Sequence, residues 1–314
     1  MFRGIRFFPE TPRLPFMAWR RLYLIVSSIL IIGSLTAFVV RGFNFGIDFA
    51  GGILLEVRMP GPADLGSMRQ TLGGLDLGDV SLQEFGSADT VLIRVPKQDG
   101  SEEAQQRAVS AVKEALGSAV QYRRVEFVGP QVGSELLRDA LYAVAAALLA
   151  IMVYIWFRFE WQFGVCGLIS LIHDVIVTAG IFSALGYEFN LTIVAAIMTI
   201  AGYSINDTVV VFDRVRENMR KYKAMAMPEL IDLSVNQTLS RTILTSGTTL
   251  LTVVSLYILG GEVLRGFSFA MIWGILTGTY SSICVAVPIL IWFNVRHSTL
   301  AGDSTAQEAE QQQP

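Results

Sequence analysis

The sequence predicts an α-helical polytopic membrane protein of six transmembrane helices, with an α+β ferredoxin-like domain inserted between the first and second. Three observations carry this. Of 314 residues, 52% are hydrophobic and only 16% charged, and the mean hydropathy is +0.50, whereas about a quarter of a soluble domain is charged. Six runs are long and apolar enough to cross about 30 Å of hydrocarbon. Between the first two runs, stretches of period 2 and period 3.6 alternate instead. A formal net charge of -3 provides no basic field for nucleic acid, which is excluded as a partner.

Residues 1–21 carry Arg3, Arg6, Arg13, Arg20 and Arg21 ahead of the first run, 22–40. This resembles the charged start of a signal peptide, but the run is long and no small-x-small cleavage site follows, so it reads as an uncleaved anchor. Residues 41–137 form the external domain. Its strands fall at 53–59, 80–85, 90–95 and 121–128, and its helices at 62–72 and 102–116. Ser101 is the expected N-cap of the second helix and Gly117 its C-terminal stop. Gly86 to Asp89 make a hairpin turn. The order β-α-β-β-α-β over about 52–128 is that of a split β-α-β fold with helices on one sheet face. It contains no acid/base pair, nucleophile constellation or phosphate loop, which favours binding over catalysis.

The remaining spans are 138–157, 163–186, 190–213, 242–261 and 266–295. Lys and Arg in the short flanks set orientation. They cluster before the first span, at Arg158, and from Arg214 to Arg241 in the loop 214–240, so these sides and both termini are expected to be cytoplasmic. The polar tail 296–314 has too little apolar content to fold and is expected to be disordered. Cys166 and Cys284 lie in apolar runs without Cys or His at metal-ligand spacing, so they read as core residues, with no disulfide framework or metal site.

An ionisable side chain inside a span is costly and therefore a candidate functional site. Three qualify: His173, Asp174 and Asp207. Thr192, Thr199, Asn206 and Asp213 recur every seven residues, with Gly202 one turn before Asn206, giving the fourth span a narrow polar stripe with Asp207 on its shoulder. Thr238, Arg241, Thr245, Thr248, Thr252 and Ser255 share one face of the fifth. Two such faces are expected to meet in the interior, bringing Arg241 to the depth of Asp207. Burial favours the neutral form of a carboxyl and a guanidinium beside it the ionised form, so relative movement could load and release a proton. The competing reading is a static buried ion pair, or an arginine that snorkels as a topology anchor. His173 and Asp174 are neighbours on a helix and point about 100° apart, which argues against a two-residue site. Pro228 and Glu229 could start an amphipathic helix that runs into the fifth span. Gly274 and Gly278 form a lone GxxxG that suits local packing, and Pro288 is expected to kink the sixth span.

Four segments resemble one family. FGIDFAGG at Phe45 to Gly52, VGPQVGSEL at Val128 to Leu136, GYSINDTVVVFDRVREN at Gly202 to Asn218 and SRTILTSGTTL at Ser240 to Leu250 are similar to motifs of the SecD/SecF protein-export membrane proteins, within the resistance-nodulation-division superfamily. Gly46, Gly51 and Gly52, and Gly129 with Pro130, are expected to allow tight chain reversals between membrane and sheet, and Asp48 lies within the first motif. The resemblance implies an auxiliary, non-enzymatic subunit in the bacterial inner membrane, with its external domain in the periplasm. It implies SecD as partner in a twelve-helix unit, the SecYEG translocon, YajC as a further partner and unfolded polypeptide as cargo. No cofactor is implied beyond the proton as coupling ion. In that family the acid of the IND motif and the arginine of the RT motif are implicated in proton flow, here Asp207 and Arg241, with Asn206 beside the acid. Asp174 and His173 match an HD pair in the third span.

One charge crossing 100 mV supplies ~2.3 kcal/mol, whereas driving a two-state switch from 1:99 to 99:1 takes ~5.5 kcal/mol. Proton coupling therefore requires either more than one proton per cycle or two nearly balanced states. Two rival readings share the fold. Half of a small-molecule or lipid exporter would need larger external porter domains, and a non-coupling scaffold would tolerate loss of Asp207. An intramembrane enzyme is disfavoured, because HExxH, GxGD and the P-loop are all missing from the sequence.

Overall fold

The computed structural model describes residues 12–85, 87–98 and 102–293. Arg3, Arg6, Gly86, Ser101 and the tail 296–314, for which a charged start, a turn, an N-cap and disorder are expected, lie outside the described residues. Six helices are long and apolar enough to cross a membrane. The first is α1 (Arg20–Arg41), entered by a 3-10 turn at Phe16–Trp19. After α1 the chain makes a two-residue strand β1 (Asn44–Phe45) and a single helical turn α2 (Ile47–Ala50) before entering the external domain.

That domain runs β2 (Gly52–Arg58), α3 (Leu65–Gly73), β3 (Ser81–Phe85), β4 (Ser87–Pro96), α4 (Glu102–Leu116) and β5 (Gln121–Val128). The four strands form one antiparallel sheet in the order β3-β4-β2-β5. Alternation along β2 and β4 sends Ile53, Leu55, Val57, Val91, Ile93 and Val95 to one face, where they pack with Met68 and Leu72 of α3 and Ala108 and Val112 of α4. The helix α3 starts three residues later than the apolar pattern suggests, because the Asp64 side chain accepts from the backbone N–H groups of Gly66 and Ser67 and fixes the start there.

The other membrane helices are α5 (Pro130–Arg158), α6 (Trp161–Leu185), α7 (Leu191–Lys221), α8 (Met227–Leu259) and α9 (Gly261–Ser281), with a two-residue strand β6 (Glu188–Phe189) before α7. The helices α6, α7 and α9 form the buried centre, whereas α1, α5 and α8 lie outside it with most of their surface uncovered. Two expectations are corrected here. The loop expected at 214–240 is mostly helix, since α7 runs on to Lys221 and α8 begins at Met227 with Pro228 in its first turn, where a missing N–H costs nothing. Gly129 is not a chain reversal: its backbone is extended (φ -68°, ψ 152°), and Pro130 simply opens α5.

The last span changes pitch near its end. After α9, Ser282–Ala286 form a π turn, followed by α10 (Val287–Leu290). Pro288 has no N–H to donate to the Cys284 carbonyl and its ring crowds that carbonyl, so the ladder slips at this point. The N-terminal strap lies against α8. The Asn236 side chain accepts from Leu14 N and donates to Leu14 O, each at 2.9 Å, and Asp232 accepts from Met17 N at 2.8 Å.

Candidate functional site

The junction between membrane and external domain is built by the first glycine motif. The strand β1 pairs in parallel with β6, which ties the exit of α1 to the entry of α7. The Asp48 carboxylate accepts from Leu191 N at 3.0 Å, capping the α7 N-terminus from outside that helix. Gly51 and Gly52 have φ of +76° and +143°, and a Cβ on Gly52 would come within 2.5 Å of the Val95 carbonyl. Gly46 differs: its φ is -66°, and the need there is close approach, since a Cβ would sit 2.5 Å from Glu188 Oε1. Glu188 in turn accepts from Arg94 of β4 at 2.8 Å, joining sheet and membrane helices.

At the centre of the bundle two carboxylates are buried, both flanked by hydroxyls. Asp174 on α6 is 0% exposed and Asp207 on α7 is 3% exposed. Asp174 Oδ2 accepts from Ser204 Oγ of α7 at 2.6 Å and from Ser281 Oγ of α9 at 2.7 Å. Its Oδ1 lies 3.0 Å from His173 Nδ1. The expectation that these neighbours do not form one site is therefore overturned. With both groups sealed from water, the imidazole folds back along the helix to the nearest acceptor despite the 100° offset. Asp207 Oδ2 faces Ser246 Oγ of α8 at 3.5 Å, and Ser246 shares a hydrogen bond of 2.8 Å with Thr279 of α9.

Arg241 does not join this site directly. It is exposed on α8, and among the described residues no ion pair or hydrogen bond links it to Asp207. Most of the two polar stripes likewise faces outward in this chain, although Thr245 of α8 lies beside Asp207. Thr192, Thr199, Gly202, Asn206 and Asp213 of α7 and Arg241, Thr248, Thr252 and Ser255 of α8 are all exposed. The α8 hydroxyls bond one turn back, Thr248 to the Leu244 carbonyl and Thr252 to that of Thr248. Ser234, Thr238, Thr242 and Ser246 of that helix turn inward. Asp213 pairs with Arg158 at 3.1 Å at the end of the bundle.

Sequence reading missed Ser204, Ser246, Thr279, Ser281 and Ser282. Their one signal is a hydroxyl within an apolar run at a turn's spacing from an acid, as Ser204 is from Asp207. The GxxxG pair does serve packing. A Cβ on Gly274 would overlap Ile200 of α7 at 2.3 Å, and one on Gly278 would reach Ser204 at 3.0 Å, so α9 lies against α7 at the level of the carboxylates.

Comparison with known proteins is consistent along the chain. Residues 108–296 match the family described as "Protein export membrane protein SecD/SecF, C-terminal", and residues 36–59 match the "SecD/SecF GG Motif". The chain is 45% identical to the protein translocase subunit SecF of Desulfurispirillum indicum over 90% of its own length and 93% of the relative's. It is 47% identical to that of Rickettsia felis over 92% and 94%. Among solved structures it is similar to SecDF of Thermus thermophilus, a translocon-associated membrane protein, with a TM-score of 0.77 and 36% identity over 92% of this chain. A SecDF structure in a super-membrane-facing form gives a TM-score of 0.72 at 36% identity over 96% of this chain. The chain spans 40% and 41% of those two SecDF chains. With a family match over more than half its length, and close relatives along nearly all of it, the chain belongs to the SecD/SecF family of protein-export membrane proteins.

Proposed function

We propose that the chain is an auxiliary subunit of the Sec protein translocase that, with SecD, uses the proton-motive force to promote export of polypeptides across the cytoplasmic membrane. The observation that carries this reading is Asp207, a carboxylate sealed among α7, α8 and α9 one turn from a helix face that this chain leaves uncovered. Polar stripes that include Asn206 and Arg241 cannot face hydrocarbon at low cost. They are covered by a second six-helix unit, which the SecDF relatives supply within one chain more than twice as long. In the assembled unit Arg241 approaches and leaves Asp207 as the halves move. The carboxyl loads a proton when the guanidinium is distant and releases it when the guanidinium is close.

Basic flanks favour a cytoplasmic side for both termini. The external sheet, with its ferredoxin-like strand order, then stands in the periplasm, where it can engage emerging chain. SecYEG supplies that chain, and YajC is a further partner of the same assembly. No enzyme activity is assigned, and the proton is the coupling ion.

Export of a secreted reporter into inverted vesicles, with and without a proton gradient and with SecD present, tests the reading. Asp207→Asn is expected to abolish gradient stimulation. Undiminished stimulation in that variant would leave Asp207 structural and favour a scaffold.

A further inference from the structure

The mechanism above uses one carboxylate, yet the bundle buries a second with a basic nitrogen beside it. The two oxygens of Asp174 have three donors available. Ser204 and Ser281 reach Oδ2 at 2.6 and 2.7 Å, lengths typical of hydroxyls donating to an ionised carboxylate. His173 Nδ1 reaches Oδ1 at 3.0 Å. With Asp174 ionised, Nδ1 is the donor in that contact and Nε2 is left as the free base. His173 is 1% exposed, and its Nε2 has no hydrogen-bond partner. A neutral imidazole beside an ionised carboxylate is a buried net charge of minus one, and a proton taken up at Nε2 brings the pair to neutrality.

From α1 comes Tyr23, whose carbonyl accepts from Tyr280 at 2.7 Å. Tyr280 of α9 places its ring 6.3 Å from the imidazole, and Cys284 lies buried in the π turn. The α7 face presents Ser204 and, one turn on, Asp207. The α5 helix offers only apolar side chains between Ala143 and Val153.

The two carboxylates are joined by one helix. Within four residues, α9 and its π turn send Thr279 to Ser246 beside Asp207, Ser281 to Asp174, and Ser282 to Thr208 of α7 at 2.8 Å. A π turn is an adjustable joint, and here it starts at the residue after the Asp174 contact. We propose that His173 and Asp174 form a second proton-binding site, linked to Asp207 through α9, so that each cycle carries two protons rather than one. This rests on the proton-coupled reading and deepens it, because a second charge doubles the work a given membrane potential can deliver to the switch.

The test is nitrogen-15 NMR of the full chain assembled with SecD in lipid nanodiscs, labelled at histidine. The sequence holds 2 histidines, and a His297→Gln comparison assigns the signals of His173. On acidification from about pH 9 to about pH 5, His173 is expected to pass reversibly from the Nδ1–H form to the doubly protonated form. A single unchanging form of His173 in the unmutated chain overturns the proposal without depending on any variant. In vesicles, Asp174→Asn is expected to lower the steepness of export against membrane potential by about half, and an unchanged steepness also overturns it. Asp207→Asn run in parallel separates the two readings. If gradient stimulation survives that change, proton coupling at Asp207 fails, while the NMR result decides the dyad independently.

Discussion

Gly180 on α6 has no room for a side chain. A Cβ there would sit 2.1 Å from Ser34 Oγ and 2.8 Å from the Ser34 backbone of α1, so Gly180→Ala must push two helices apart. It is expected to cost about 1–3 kcal/mol, as overpacking does, and to appear as a lower midpoint of thermal unfolding in detergent. A gentler feature sits at the sheet's turn. There the Ser87 hydroxyl, then the Arg58 guanidinium, hold the Asp89 carboxyl down at about 2 from an ordinary 3.8. The contribution of these contacts is present above the unfolded value and is lost as pH falls through the folded one. Thermal midpoints of the unmutated chain are therefore expected to drop between about pH 4 and pH 2, and Asp89→Asn to flatten that drop. Equal slopes in the two proteins would show that the contacts add nothing.

At the scale of elements, the external sheet is a small core with little redundancy. Ile93 is 0% exposed in the centre of β4, so Ile93→Ala is expected to cost about 2–5 kcal/mol. Protease nicking confined to the external domain would report it, and intact spans would show the loss is local. The sixth span invites the opposite experiment. Pro288→Ala restores a donor to the Cys284 carbonyl and removes the ring that crowds it. The π turn is then expected to tighten towards an ordinary helix, altering the distance between spin labels placed on either side of Ser282–Ala286. An unchanged distance would mean that the hydroxyl contacts of Ser282, not the proline, hold the turn open.

For the whole molecule, the decisive surface is the polar face of α7 and α8. Its hydroxyls satisfy themselves against backbone carbonyls, yet Arg241 and Asn206 require a polar neighbour inside the bilayer. Replacing Thr248 and Thr252 together by leucine should let that face tolerate lipid. It is expected to weaken co-purification with SecD, while α8 remains helical by circular dichroism. Undiminished recovery of SecD would place the contact on another face. The pair Arg94 and Glu188, with side chains about a quarter exposed or less, is the corresponding tie to the external domain. Its stabilising energy is modest because it is partly solvated.

The sequence alone determined the spans, because a bilayer demands about 20 consecutive apolar residues and composition reports that directly. The order of strands and helices along the chain followed equally, and alternation along Ile53 to Val57 and Val91 to Val95 fixes which face is buried. Asp207 and Asp174 were legible as buried acids for the same reason: an acid inside an apolar run has nowhere else to go. What periodicity could not supply was which helix faces which. A stripe of threonines has the same spacing whether it lines an interior or awaits a partner, so the outward position of Arg241 belongs to the tertiary structure. The meeting of Asp174 of α6 with Ser204 of α7 and Ser281 of α9 depended on close helix approach at Gly274 and Gly278. Such approach is a property of three packed helices and not of any one of them.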